Sequence, residues 1–111
     1  MKFVGTPANY IEGMRQAPFW PALEAIAPTL AYDNLFIFGE DRSVPIERVA
    51  RVTVPTLVMN GGASPSFMED TARALANAIP HAQHHILAGQ VHNVNPEALA
   101  PELIAFFGAR V

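Results

Sequence analysis

Two short runs in this chain of 111 residues have the makings of β-strands, and they do not make a finished sheet. Val54-Pro55-Thr56-Leu57-Val58-Met59-Asn60 is β-rich and closes on Gly61-Gly62. It lacks apolar-polar alternation, the pattern of a strand covered on both faces. His84-His85-Ile86-Leu87-Ala88 is the second run, and it closes on Gly89-Gln90-Val91-His92. A helix is predicted between them. Ser64-Pro65 offers one cap, Ser66-Phe67-Met68-Glu69 reads as a capping box, and Pro80 is the stop. Met68, Ala72, Leu75 and Ile79 then share one helical face. Asn95-Pro96 opens a last helix with Leu99, Leu103 and Phe106 facing one way, and Pro101 is expected to reset its start. Residues 53–111 therefore read strand, helix, strand, helix, a βαβα unit with parallel strands. Each strand leaves an edge unpaired, and parallel sheets are normally covered on both faces. The sheet is expected to be completed by another chain, a second copy or an absent N-terminal region.

The segment 1–52 reads as short helices and supplies no strand. Thr6-Pro7 starts a helix over about 7–16, which Pro18 ends. Phe19, Leu23, Ile26 and Leu30 form one face of a second helix, with Pro28 set to kink or split it. Leu35-Phe36-Ile37-Phe38 is apolar but short, Gly39-Glu40-Asp41-Arg42-Ser43 is a polar turn, and a short helix follows Pro45 over about 46–50. The expectation is one α/β structural domain, with 1–52 as a helical segment and 53–111 as the βαβα part.

Composition narrows the function classes. Half the residues are hydrophobic, 15% are charged and the net charge is -3, so there is no basic stripe for nucleic acid. With no cysteine, thiolate nucleophiles, disulfides and cysteine-based zinc sites are excluded. No apolar run approaches the roughly 18 residues of a membrane span. Met1-Lys2-Phe3-Val4-Gly5 lacks the apolar stretch of a signal peptide, and a cytoplasmic location is the expectation. The alanine and arginine bias suits a bacterial source.

The order of these pieces resembles the last third of the α/β-hydrolase fold. Three stretches carry the resemblance: Val54-Pro55-Thr56-Leu57-Val58-Met59-Asn60-Gly61-Gly62, the helix ending Ala72-Arg73-Ala74-Leu75-Ala76-Asn77-Ala78-Ile79-Pro80, and Ile86-Leu87-Ala88-Gly89-Gln90-Val91-His92. The match covers residues 50–107 well and 6–50 loosely, the latter resembling the cap before the penultimate strand. In that family the last strand runs into a turn bearing the catalytic histidine, which the resemblance places at His92. It implies hydrolysis of an ester or related carbonyl substrate by a Ser-His-acid mechanism, with His92 as general base and no cofactor. The family's Gly-x-Ser-x-Gly elbow is missing here; the serines are Ser43, Ser64 and Ser66. The nucleophile is therefore expected outside this chain, and the chain alone is expected to be inactive.

Other candidates carry two readings each. Gly62-Ala63-Ser64-Pro65-Ser66 imitates an elbow, but Pro65 lacks the N–H that the residue after a nucleophile gives to an oxyanion hole. Ser64 as a helix cap accounts for the same residues. Ser64 also fills the slot of the family's Gly-x-x-Asp triad acid, so that acid is expected elsewhere; Glu69 and Asp70 suit a first helical turn. His81, His84 and His85 are poorly spaced for a metal, because His84 and His85 point to opposite strand faces. Met14, Phe19 and Trp20 can line a substrate pocket in the cap or form plain core. The rival to the hydrolase reading is a non-catalytic binding or assembly module, a homo-oligomer joined through exposed strand edges.

Overall fold

Pro55 sets where the sheet begins, because a proline has no N–H to give to a ladder. In the computed structural model, which describes residues 5–38 and 43–108, the first strand starts one residue later. The segments 1–4 and 109–111 and the expected polar turn over 39–42 lie outside the described residues. The chain divides into two compact units, 1–42 and 43–111.

The second unit holds the sheet. Strand β1 (Thr56–Gly61) pairs in parallel with β2 (Ala82–Leu87), in register from Thr56 with Ala82 to Gly61 with Leu87. The Thr56 N–H donates to the His81 carbonyl at 3.0 Å and starts the pairing. That contact draws β2 two residues earlier than its apolar content suggests. Its end comes earlier as well, because Gly89 turns the chain at φ 70°. Among the described residues the sheet has these two strands only, so each strand keeps one edge of unpaired backbone groups. The expected open βαβα arrangement is what forms.

Helix α5 (Ser66–Ala78) joins the strands and packs on both, and helix α4 (Ile46–Val49) packs on α5. Thus α4, grouped with the helical segment in the sequence reading, belongs to the second unit. The cap of α5 differs from expectation. Pro65 occupies the N-cap position with no side-chain hydrogen bond, so neither Ser64 nor a Ser66–Glu69 capping box closes the helix end. Ser66 is already the first helical residue, one place too late to cap, and Glu69 pairs with Arg73 one turn on. Helix α6 (Pro96–Gly108) is capped by Asn95, whose Oδ1 accepts the Glu97 N–H at 2.9 Å. It runs unbroken through Pro101, with no reset there. The bond Pro101 forgoes is to Glu97, an exposed residue of the first turn. The deepest apolar residues described are Ala72, Ile79 and Leu87, at 5%, 8% and 8% exposure, a thin core.

The first unit is helical. Helix α1 (Ala8–Arg15) is followed by α2 (Trp20–Ile26), a 3-10 turn (Ala27–Thr29), α3 (Leu30–Asp33) and a π-helical turn (Asn34–Phe38). Pro28 sits in the 3-10 turn and splits the second helix, as its missing N–H requires. Thr6 makes no cap bond to α1, whose N-cap position is taken by Pro7.

The close approach in the second unit is at Gly61. A Cβ there would collide with the Gln90 carbonyl oxygen and lie 2.7 Å from its carbon and 2.9 Å from Ser64 Oγ. Backbone on the far side cannot swing away as a flexible side chain would. Gly61→Ala is therefore expected to lower stability by about 1–3 kcal/mol. Gly13→Ala, in α1 with open space around it, is the control and should be neutral or slightly stabilising. Urea unfolding read by circular dichroism measures both, and an unchanged midpoint for Gly61→Ala would count against the Gly61–Gln90 contact.

Candidate active site

Two turns leave the carboxyl ends of β1 and β2, and hydrogen bonds lock them together. The Gly62 N–H donates to the Leu87 carbonyl at 2.8 Å, and the Ala63 N–H to the Gln90 carbonyl at 2.9 Å. Within the turns, the Ser64 N–H donates to the Gly61 carbonyl at 3.1 Å and the Gln90 N–H to that of Leu87 at 3.1 Å. The Gln90 side chain then reaches forward, its Oε1 accepting the Asn95 N–H at 2.9 Å. Gln90 thus holds both ends of the segment 91–94. His92 lies in that braced segment, two residues beyond the carbonyl that ties it to the β1 turn. This end of a parallel sheet is where open α/β folds place ligands.

The His92 ring is exposed, and among the described residues it has no hydrogen-bond or ion-pair partner. An imidazole so placed can offer both nitrogens to groups brought from elsewhere. Ser64 is the reverse case. Its Oγ is shut off from solvent and has no hydrogen-bond partner. The hydroxyl is thus neither the helix cap expected from sequence nor held by a base, and Pro65 follows it without an N–H.

The remaining histidines act on the sheet. His84 Nε2 and Asn60 Oδ1, on neighbouring strands, lie 2.7 Å apart. His85 Nδ1 meets Glu102 Oε2 of α6 at 2.8 Å, with both groups part-exposed. Consecutive strand residues point to opposite faces, so the two rings serve different partners. Among the described residues no three His, Asp or Glu side chains come together as a metal site. Sequence reasoning missed the bracing role of Gln90 and the Glu102 contact. A glutamine before a capping Asn95-Pro96 was the available signal for the first; nothing in the spacing announced the second.

The cap candidates lie in the first unit and separate into two concavities. Met14 and Phe19 line one of about 430 Å³ together with Asn9, Tyr10, Gly13 and Ala17. Trp20 lines another of about 300 Å³ with Leu23, Ile26 and Leu30, where its Nε1–H donates to Glu24 Oε1 at 2.7 Å. Of these two concavities, Met14 and Phe19 line one and Trp20 the other. Leu23 and Ile26 line a cavity that the sequence reading treated only as a helix face.

No family model matches the chain, and no curated protein does. A solved structure does: the crystal structure of an alpha/beta hydrolase from Sphaerobacter thermophilus DSM 20745. Identity is 46%, the TM-score is 0.77, and the match covers 93% of this chain. The chain spans 39% of the length of that hydrolase. Helices followed by an open two-stranded parallel sheet, matched at this identity, give this chain the fold of the C-terminal cap-and-strand portion of an α/β hydrolase.

Proposed function

We propose that this chain supplies the cap and the histidine-bearing turn of a serine hydrolase acting on an ester or related carbonyl substrate. The observation that carries this reading is the place of His92. It is braced and exposed beyond the end of β2, in a chain 46% identical over its match to an α/β hydrolase. In the proposed reaction His92 Nε2 takes the proton of a serine hydroxyl as the oxygen attacks the carbonyl carbon. The same nitrogen then returns the proton to the leaving alcohol. A carboxylate accepting the Nδ1–H holds the ring and stabilises the imidazolium.

The serine and the carboxylate come from a segment outside this sequence. The chain carries no Gly-x-Ser-x-Gly elbow, and a serine stands where the turn after β1 would bear an acid. A serine hydroxyl cannot stabilise an imidazolium as a carboxylate does. That segment also pairs with an open sheet edge. The first-unit concavities, lined mainly by apolar side chains, suit the apolar part of a substrate, with Met14 and Phe19 in one and Trp20 in the other. No cofactor enters this chemistry, and the location proposed is the cytoplasm. The open edges also favour a second reading, in which two copies pair edge to edge without catalysis.

The test is a hybrid in which this chain replaces the matching part of the Sphaerobacter hydrolase. The unaltered hydrolase on a panel of p-nitrophenyl esters sets the reference. The hybrid is expected to hydrolyse the same esters, and His92→Ala to lower its kcat by about a thousandfold or more. The chain by itself should neither turn over esters nor react with a fluorophosphonate. Full activity in the His92→Ala hybrid would remove the assignment, and fluorophosphonate labelling of the lone chain would move the nucleophile into it.

Ser64→Ala separates a structural serine from a reacting one. Removing an orphaned buried hydroxyl should leave the hybrid's rate within about twofold and its stability unchanged or higher by up to about 1 kcal/mol. Loss of the rate with the fold intact would make Ser64 part of the chemistry.

A further inference from the structure

The segment 91–94 carries His92 and does little to hold itself. Among the described residues, no hydrogen bond between backbone groups starts or ends on it. Val91, His92 and Asn93 are exposed, and Val94 is half-buried. Gln90 stands at its near end and makes the bonds that fix both ends. Its carbonyl accepts the Ala63 N–H and its Oε1 accepts the Asn95 N–H, each at 2.9 Å. The root of that side chain is fixed in turn, because Gln90 is half-buried and its backbone lies against Gly61. At the far end Asn95 begins α6. Its Oδ1 accepts the Glu97 N–H at 2.9 Å, and its carbonyl accepts the Ala98 and Leu99 N–H groups at 3.0 and 3.1 Å. We propose that the Gln90 side chain is a positioning residue for His92, setting where the imidazole stands by joining the turn after β2 to the N-cap of α6.

This rests on the functional reading above, in which His92 is the base. A base meets its hydroxyl within about 2.6–3.2 Å, so a drift of about 1 Å at the ring is costly. The residue type suits the task. A side chain can span a segment that backbone bonds leave untied. Glutamine has the reach for it, whereas asparagine is one methylene shorter and would fall short of the Asn95 N–H. Its amide oxygen is also an uncharged acceptor. It takes the N–H without setting a second carboxylate beside an imidazole whose partner in the proposed reaction is the triad acid. Val94 is the rival anchor, through packing. Packing is non-directional, whereas a hydrogen bond at 2.9 Å fixes both a distance and a direction.

The hybrid with the Sphaerobacter hydrolase, assayed on p-nitrophenyl esters, tests the proposal. Gln90→Met keeps the length of the side chain and removes the acceptor. It is expected to lower kcat about tenfold with KM within about twofold, and Gln90→Asn to lose as much. Gln90→Glu, which restores an acceptor of the same reach, should return kcat to within about threefold of the parent hybrid. Gln83→Met, at an exposed position of β2, is the control and should change neither constant. Combining Gln90→Met with His92→Ala separates positioning from a general structural role. With no imidazole left to position, the residual rate should equal that of His92→Ala alone. A second fall of about tenfold in the combined variant would overturn the proposal, as would an unchanged kcat in Gln90→Met. Amide exchange in the lone chain reads the brace without turnover. The Asn95 N–H should exchange about tenfold or more faster in Gln90→Met while the Thr56 N–H of the sheet keeps its rate. Unchanged exchange at Asn95 would also overturn the proposal. A fully active His92→Ala hybrid would sink the functional reading, whereas loss in His92→Ala without loss in Gln90→Met would sink the positioning role alone.

Discussion

Backbone N–H and C=O groups left over after β1 and β2 pair are the constraint on which the rest of the structure depends. Two parallel strands of six residues satisfy each other along one side only. A helix-joined pair of this kind offers little area for a core, and the deepest residues described, Ala72, Ile79 and Leu87, are small or medium in size. The thin core and the open edges are one fact seen twice. Every additional strand would satisfy a row of backbone groups and at the same time widen the sheet face on which helices pack.

Against that background the carboxyl ends of the strands are unusually well fixed. The β1 turn and the β2 turn exchange backbone bonds directly, Gly61 lets the Gln90 backbone come close, and the Gln90 side chain closes the segment around His92. None of these bonds needs another strand. The geometry that presents His92 is therefore built locally, from residues 61–64 and 87–95, while the groups the imidazole would act with are left to the rest of the fold. In the proposed reaction such local rigidity would serve His92, since positional error at a base is felt directly in the rate.

Much of this was legible in the sequence because prolines and glycines punctuate it. Pro55, Gly61-Gly62, Pro80 and Gly89 mark the ends of three elements, and the strand–helix–strand–helix order follows from them. The helix ends were harder. Ser64, Ser66 and Thr6 have the right side chains for caps, yet a neighbouring proline, Pro65 or Pro7, holds each N-cap position and leaves the hydroxyl out of register. Pro101 misled in the other direction. Its cost depends on which carbonyl loses a partner, and here that carbonyl belongs to the exposed first turn. The division of Met14 and Phe19 from Trp20 into separate concavities was also beyond the sequence. It depends on where the α1 and α2 helices carry their side chains, not on residue type.

Helix α6 shows how far sequence periodicity reads burial. Periodicity alone assigns Leu99, Leu103 and Phe106 to the packed side, and their half-burial agrees. The same periodicity groups Ala100, Ile104 and Phe107 with Glu97 on the next face, where the Phe107 ring meets that of Phe106 edge-on at 5.2 Å. Ile104 and Phe107 stay largely exposed there, at 71% and 62%. The His85–Glu102 contact holds α6 against the sheet by a part-exposed pair, which contributes at most about 1 kcal/mol. Half-burial of Leu99, Leu103 and Phe106 contributes about 1 kcal/mol each. The packed side of α6 thus holds the helix in the unit more firmly than the ion pair does.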